Sequence, residues 1–205
     1  MRRTVQLIAM SLILSDIFLF IACSTNNEPT AATSLTEDEK NDLLQLREEE
    51  KLARDVYIYT YNKYGLNISS NISKSEQTHM DKVLNILISY DLKDPVLEEN
   101  GAFSSEGLQI LYNQLTAKVD LSVMDALIVG ATIEDLDIKD IEEFSSRTTK
   151  DDILSMYANL MCGSRNHLRS YYAQIIAAGG SYTPVYISQS EFDAIVNSNN
   201  EQCGQ

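Results

Sequence analysis

The chain has two histidines, His79 and His167, and the first has an acid at helical spacing. Glu76 and His79 form Glu-x-x-His, a step of three residues that puts a carboxylate and an imidazole one turn apart on one helix face. Glu134 and Asp137 repeat that step with two carboxylates, and Glu50 closes the acidic run Glu48-Glu49-Glu50. His167 is preceded at the same spacing by Ser164, so its step carries no acid. Carboxylate oxygens with imidazole nitrogens and no thiolate suit iron, manganese or zinc. In helical bundles, one Glu from each of two helices and Glu-x-x-His from each of the other two hold a di-iron pair. Glu50, Glu76, His79, Glu134, Asp137 and His167 are thus the candidate metal ligands.

Helices must position them, and the pattern is helical almost throughout. Thr36-Glu37-Asp38-Glu39 is a capping-box sequence opening a helix that runs to about Tyr64, where Gly65 stops it. A second helix is predicted from about Ser70 to Tyr90, ending before Asp94-Pro95. A third begins after Ser122 and runs to about Phe144, and a fourth follows Thr149-Lys150 and stops at Gly179-Gly180. Between the second and third lies a long connection with its own short helical pattern, Glu106 to Ala117, and a last short helix follows Ser188. No run alternates with period two, so the fold class is all-α. Four long helices with one long crossover between the second and third describe a ferritin-like bundle rather than an up-down-up-down one.

Each long helix has an apolar stripe spaced alternately three and four residues, and each stripe is interrupted by an ionisable residue. The stripes read Leu43, Leu46, Glu50, Ala53, Tyr57; Ile72, Glu76, His79, Val83, Ile86; Leu127, Gly130, Glu134, Asp137, Ile141; and Ile153, Tyr157, Leu160, Ser164, His167, Tyr171. Each residue also has a structural alternative. Glu76 follows Ser73 by three and fits the end of a capping box. Glu48, Glu49 and Glu50 fit a solvated face, and a lone interior histidine fits a satisfied core position. Tyr57 and Tyr171 read as core packing or as hydrogen-bond partners of ligands. Buried unpaired carboxylates cost several kcal/mol each on an order-of-magnitude scale, and a cation turns their repulsion into coordination.

Four motifs carry a resemblance: Glu48-Glu49-Glu50-Lys51-Leu52-Ala53-Arg54-Asp55-Val56-Tyr57, Ser75-Glu76-Gln77-Thr78-His79, Gly130-Ala131-Thr132-Ile133-Glu134-Asp135-Leu136-Asp137 and Gly163-Ser164-Arg165-Asn166-His167-Leu168. Over roughly residues 37–198 the chain resembles a secreted bacterial ferritin-like family, catalogued as a domain of unknown function and distantly similar to rubrerythrin and bacterioferritin. The resemblance implies that Glu50, Glu76, His79, Glu134 and His167 take ligand positions. Ser164 departs from the di-iron pattern, and Asp137, one turn after Glu134, is the residue placed to replace its carboxylate.

Arg2 and Arg3 precede an apolar run ending at Ala22-Cys23, the pattern of a secretory signal in residues 1–22. The end of the run resembles a bacterial lipoprotein signal, with lipid attachment at Cys23; an uncleaved membrane anchor is the alternative. Asp16 weighs against the anchor, because an acid near mid-bilayer costs about 2.5–3.5 kcal/mol. Residues 23–35 have the polar composition of a tether, leaving 36–205 as the helical domain. Export makes a disulfide possible between Cys162 and Cys203, with two free thiols as the alternative. A formal net charge of −14 opposes nucleic-acid binding, and nucleotide-binding fingerprints are missing.

The expectation is therefore an exported protein of the bacterial cell envelope, attached to a membrane by its N-terminal lipid, with a carboxylate/histidine di-metal site acting on oxygen or peroxide. Iron, as two ions, is the expected cofactor, with manganese or zinc as alternatives. Three cysteines cannot supply a four-thiolate rubredoxin-type iron, so redox turnover would draw on an external electron donor. A metal-handling protein without turnover and a structural helical module with a vestigial site are the competing functions.

Overall fold

The computed structural model describes residues 34–204; the signal segment, Cys23 and the tether up to Thr33 lie outside them. The described residues form six helices in the order α1 (Glu37–Tyr64), α2 (Asn67–Ser89), α3 (Glu106–Val119), α4 (Val123–Ser146), α5 (Asp151–Ala177) and α6 (Gln189–Val196), with no strand among them. Among these residues no helix is long and apolar enough to cross a membrane.

Local chemistry sets the ends. Thr36 Oγ1 accepts from Glu39 N while Glu39 Oε2 accepts from Thr36 N, closing the capping box of α1. Gly65 ends α1 in the left-handed region at φ 66°. That turn lets α2 start at Asn67, three residues earlier than the sequence predicts; Leu66 occupies its N-cap without a side-chain bond, so no polar signal marks the start. Glu76 therefore lies well inside α2, and Ser73 Oγ donates to Ser70 O in the helix instead of capping it. Leu35, assigned to the tether by composition, is buried against Leu43, Leu46 and Ile153 in the core.

α1 packs along α2 and α4 along α5, while α1 also meets α4 and α2 meets α5. Each long helix thus has two long neighbours, and their apolar stripes face inward. The core divides into a cluster around Leu52, Val56, Ile133, Ile138 and Leu168 and another around Leu43, Leu46, Val83, Ile141 and Leu160. The long connection carrying α3 is pinned to α1 by charges. Lys51 Nζ donates to Asp55 Oδ2 at 2.5 Å, Glu99 O at 2.9 Å and Ala102 O at 3.0 Å, and Asp55 Oδ2 also accepts from Gly101 N at 2.8 Å. Glu48 Oε1 accepts from Ser104 N, and Arg47 grips Asp94 through two nitrogens. At the C-terminal side Cys162 and Cys203 are joined in a disulfide, and Arg165 and Arg169 both bind Glu201.

Candidate metal centre

Between the two core clusters, four helices contribute charge. Glu50 comes from α1, Glu76 and His79 from α2, Glu134 and Asp137 from α4, and His167 from α5, and all are buried. Two groups of possible ligand atoms each lie within 4.8 Å of one another: Glu50 with Glu76 and His79, and Glu76 with Glu134 and His167. Glu76 is common to both. The ring centroids of His79 and His167 are 5.7 Å apart.

Both histidines turn Nδ1 toward the acids. His79 Nδ1 is 2.8 Å from Glu76 Oε2 and 3.2 Å from Glu50 Oε2; His167 Nδ1 is 2.8 Å from Glu76 Oε1 and 3.3 Å from Glu134 Oε2. The Glu76 contacts are close without having hydrogen-bond geometry, and both Glu76 oxygens and His167 Nδ1 remain without a hydrogen-bond partner. Glu50 Oε1, Glu134 Oε2 and Asp137 Oδ2 share that condition. Among the described residues, the other buried side-chain nitrogens and oxygens so placed are Glu49 Oε2 and Arg47 Nη1. Unsatisfied buried polar atoms are rare because each forfeits its hydration. Here they gather in one place.

Surrounding residues hold these ligand atoms in orientation. His167 Nε2 lies 3.0 Å from Ser75 Oγ, which fits an Nε2–H donor and leaves Nδ1 facing the acids. Tyr57 donates its hydroxyl to Glu134 Oε1 at 2.5 Å, so only the second oxygen of Glu134 is free. Tyr171 packs 5.4 Å from Tyr57, ring centre to ring centre, and fills the space over Gly130, where a Cβ would meet its ring at 2.3 Å. Gly163 has the matching role for His79, since a Cβ there would lie 2.5 Å from Nε2. Ser75 and Gly163 were inside the quoted motifs, yet nothing in their residue types marks them as supports.

Ser164 is buried, but its Oγ sits 3.3 Å from Leu160 O of its own helix and adds no carboxylate. Asp137 joins neither group of ligand atoms. The charges that act on it most strongly are Glu50 and then Glu134, both acids. The acids Glu48 and Glu49, which fit a solvated face by sequence, are both buried.

The electrostatics are set by burial and by the mutual contacts of these acids and imidazoles. Burial alone would lower the imidazole of His79, but Glu76 and Glu50 carry it up to about 10; Glu76 and Glu134 likewise overcome burial and raise His167 well above its ordinary value. Burial would raise Glu76, yet His167 and His79 on either side hold it well below the usual carboxylate range. Burial pushes Glu50 up to about 7 against the pull of His79 and raises Glu134, and burial together with the charge of Glu50 raises Asp137 well above its ordinary value. Protonated imidazoles thus offset the charge of the acids around them. A bound ion must displace those protons.

A family profile described as "Uncharacterized protein domain (DUF2202)" matches residues 39–199. The chain is 49% identical over 169 residues to uncharacterized protein MJ0754 of the archaeon Methanocaldococcus jannaschii, covering 82% of this chain and 91% of the relative. The crystal structure of that hypothetical protein superposes with a TM-score of 0.81 over 82% of this chain and 96% of the other. The relative is archaeal, where the sequence resemblance was to a bacterial family. With most of its described residues inside the profile, the chain belongs to the DUF2202 family.

Proposed function

We propose that the chain is a ferritin-like metalloprotein in which Glu50, Glu76, His79, Glu134 and His167 hold two ions, with Glu76 shared between them. The observation that carries this reading is the convergence of buried ligand atoms lacking hydrogen-bond partners on two groups with a common carboxylate. The residues present fit such ions: oxygen and imidazole ligands, no thiolate, and outer partners that fix their orientation. Iron is the first choice, with manganese or zinc as alternatives. In this reading α1, α2, α4 and α5 are the four helices of a ferritin-like bundle, and the segment carrying α3 is its crossover.

When bound, iron or manganese supplies reversible one-electron oxidation, the chemistry needed to act on oxygen or peroxide. The chain supplies the rest. Ser75 fixes the His167 tautomer, Tyr57 holds one oxygen of Glu134 and keeps a hydroxyl proton at the centre, and the apolar clusters above and below exclude water. The same reading keeps the N-terminal signal, the lipid on Cys23 and a cell-envelope location, and it assigns sustained turnover to an external electron donor. A second reading, metal handling with little turnover, is favoured by Ser164, whose hydroxyl turned toward Leu160 leaves the Glu76/Glu134/His167 group one carboxylate short of the di-iron pattern.

The deciding measurement is metal analysis of protein stripped with chelator and reloaded. Two ions per chain are expected, and none in the His79→Ala/His167→Ala double variant, whose helix content by circular dichroism should be unchanged. Full occupancy in that variant would remove the assignment. Reduced, loaded protein should consume one stoichiometric equivalent of oxidant and then stop until reductant is added; no oxidation at all favours the handling reading.

A further inference from the structure

Beside the centre, on the α1–α4 seam, lies a second set of buried acids that neither group of ligand atoms includes. Glu49 accepts from Gln45 Nε2 through Oε1 at 2.7 Å, and its Oε2 has no partner. Asp137 is buried with Oδ2 equally unpartnered. The strongest charges acting on Glu49 are Asp140, Glu50 and Asp42, and the strongest acting on Asp137 are Glu50, Glu134, Glu76 and Glu49. Every one is an acid. At the outer end the basic residues Lys139 and Arg147 act on Asp140 while pairing with Glu143 and Asp42 respectively.

The α4 acids are also ordered in depth. Glu134 and Asp137 are buried, Asp140 is half-buried and Glu143 is exposed. At 3.6 residues per turn, each three-residue step rotates the side chain back by about 60° around the axis, so the row winds from the interior seam out to solvent. From α1, buried Glu49 feels the charge of Asp140 in that row, and Gln45, its hydrogen-bond donor, is exposed.

We propose that Glu49, Asp137 and Asp140 form a transit site through which a divalent cation passes from solvent to the Glu50/Glu76/Glu134 cluster. This deepens the metal-centre reading and rests on it. Unpartnered carboxyl oxygens attract a hard divalent ion, which releases their protons to solvent, but with no imidazole among them they hold it more weakly than the centre does. The ion therefore moves inward to the nitrogen-containing site. An acid row with low-dielectric walls also concentrates cations at its mouth and raises the rate of capture.

The test uses the full chain, stripped with chelator, and Mn²⁺ as the probe; uptake is timed by loss of the free-ion electron paramagnetic resonance signal and the final ratio is read by mass spectrometry. Glu49→Gln and Asp140→Asn should each slow uptake by about ten-fold or more while reaching the same final ratio as the unmodified protein. Asp140 is half-buried at the seam's outer edge, so its variant keeps the test valid if Glu49→Gln folds poorly, and melting in chelator verifies both. Unchanged uptake rates in both variants, with normal loading of the unmodified protein, overturn the transit site alone. A lowered final ratio in Glu49→Gln makes Glu49 a ligand of the centre and also overturns it. No uptake by the unmodified protein overturns the metal centre, and the transit site with it.

Discussion

Asp135 and Asp137 stand two residues apart on α4, both buried, and their surroundings could hardly differ more. Asp135 accepts from Tyr182 Oη at 2.8 Å and from the backbone nitrogens of Val185, Tyr186 and Ile187, fixing the segment before α6. Asp137 faces other acids and leaves an oxygen without a partner. α1 repeats the contrast: Asp55 and Lys51 are bonded to each other and to the crossover, while Glu49 and Glu50 each leave an oxygen unpartnered. Buried charge with complete hydrogen bonding organises the chain. Buried charge without it is where the proposed cations would bind.

The largest stability effect should come from breaking a satisfied group. Asp55→Ala strands Lys51 in the interior and frees Gly101 N, and removing one partner of a buried pair typically costs about 3–5 kcal/mol. Denaturant unfolding should show that loss, while the metal ratio of the remaining folded protein stays unchanged. A normal melt with reduced metal binding would reverse the two roles.

Acidity separates the two regions next. Glu49 is pushed up to about 8 by burial and then by Asp140, Glu50 to about 7 by burial, and His79 to about 10 by the acids that outweigh its burial. In each case the folded protein keeps its proton to higher pH than the unfolded chain. Their stability contributions are complete below the unfolded values of 4.5 for the acids and 6.5 for His79, and are lost as pH rises through the folded ones. Glu76, shifted down, has the opposite sign, but its contribution is lost only in acid below 4.5. Metal-free protein should therefore melt highest near about pH 5 and fall steadily toward about pH 9. Loading with metal should flatten or reverse the slope, because the ion takes the place of those protons. A metal-free melting temperature that rises over this range would contradict the assigned charge states.

The same contrast explains what the sequence made legible. Glu50, Glu76, His79, Glu134 and His167 interrupt apolar stripes, and the period of a helix is enough to bring such positions to one seam. Glu48 and Glu49 belong to an acidic run that reads as a solvated face, and Lys51 and Asp55 follow it in the same helix. They are buried because the crossover, some fifty residues later, folds over one side of α1 and α4 covers another. A contact that distant leaves no periodic trace. Asp135 likewise finds its partners in a segment of irregular backbone, and the start of α2 was misplaced because its N-cap is Leu66. Asp137 was legible as a seam residue, but spacing alone could not separate it from the ligand groups around Glu76.

The smallest effect, and the sharpest distinction, comes from two glycines in helices. Alanine is the better helix residue by about 0.5–1 kcal/mol, so substitution at an open position should stabilise. Gly107 is such a position, since a Cβ there would meet only Ser105 Oγ at 3.7 Å. At Gly163 the same methyl would lie 2.5 Å from His79 Nε2 and 2.6 Å from Cε1, so the ring must move away from α5. Its Nδ1 is the atom facing Glu76 and Glu50, and a shift of the ring pulls it off the first ligand group while the Glu76/Glu134/His167 group keeps its parts. Gly107→Ala should raise the melting temperature slightly and leave both ions in place. Gly163→Ala should gain little or nothing in stability and lose one ion of the two on dialysis. If it retains both with unaltered affinity, the close approach of α5 does not hold His79 in position, and the acids on α1 and α2 alone set its orientation.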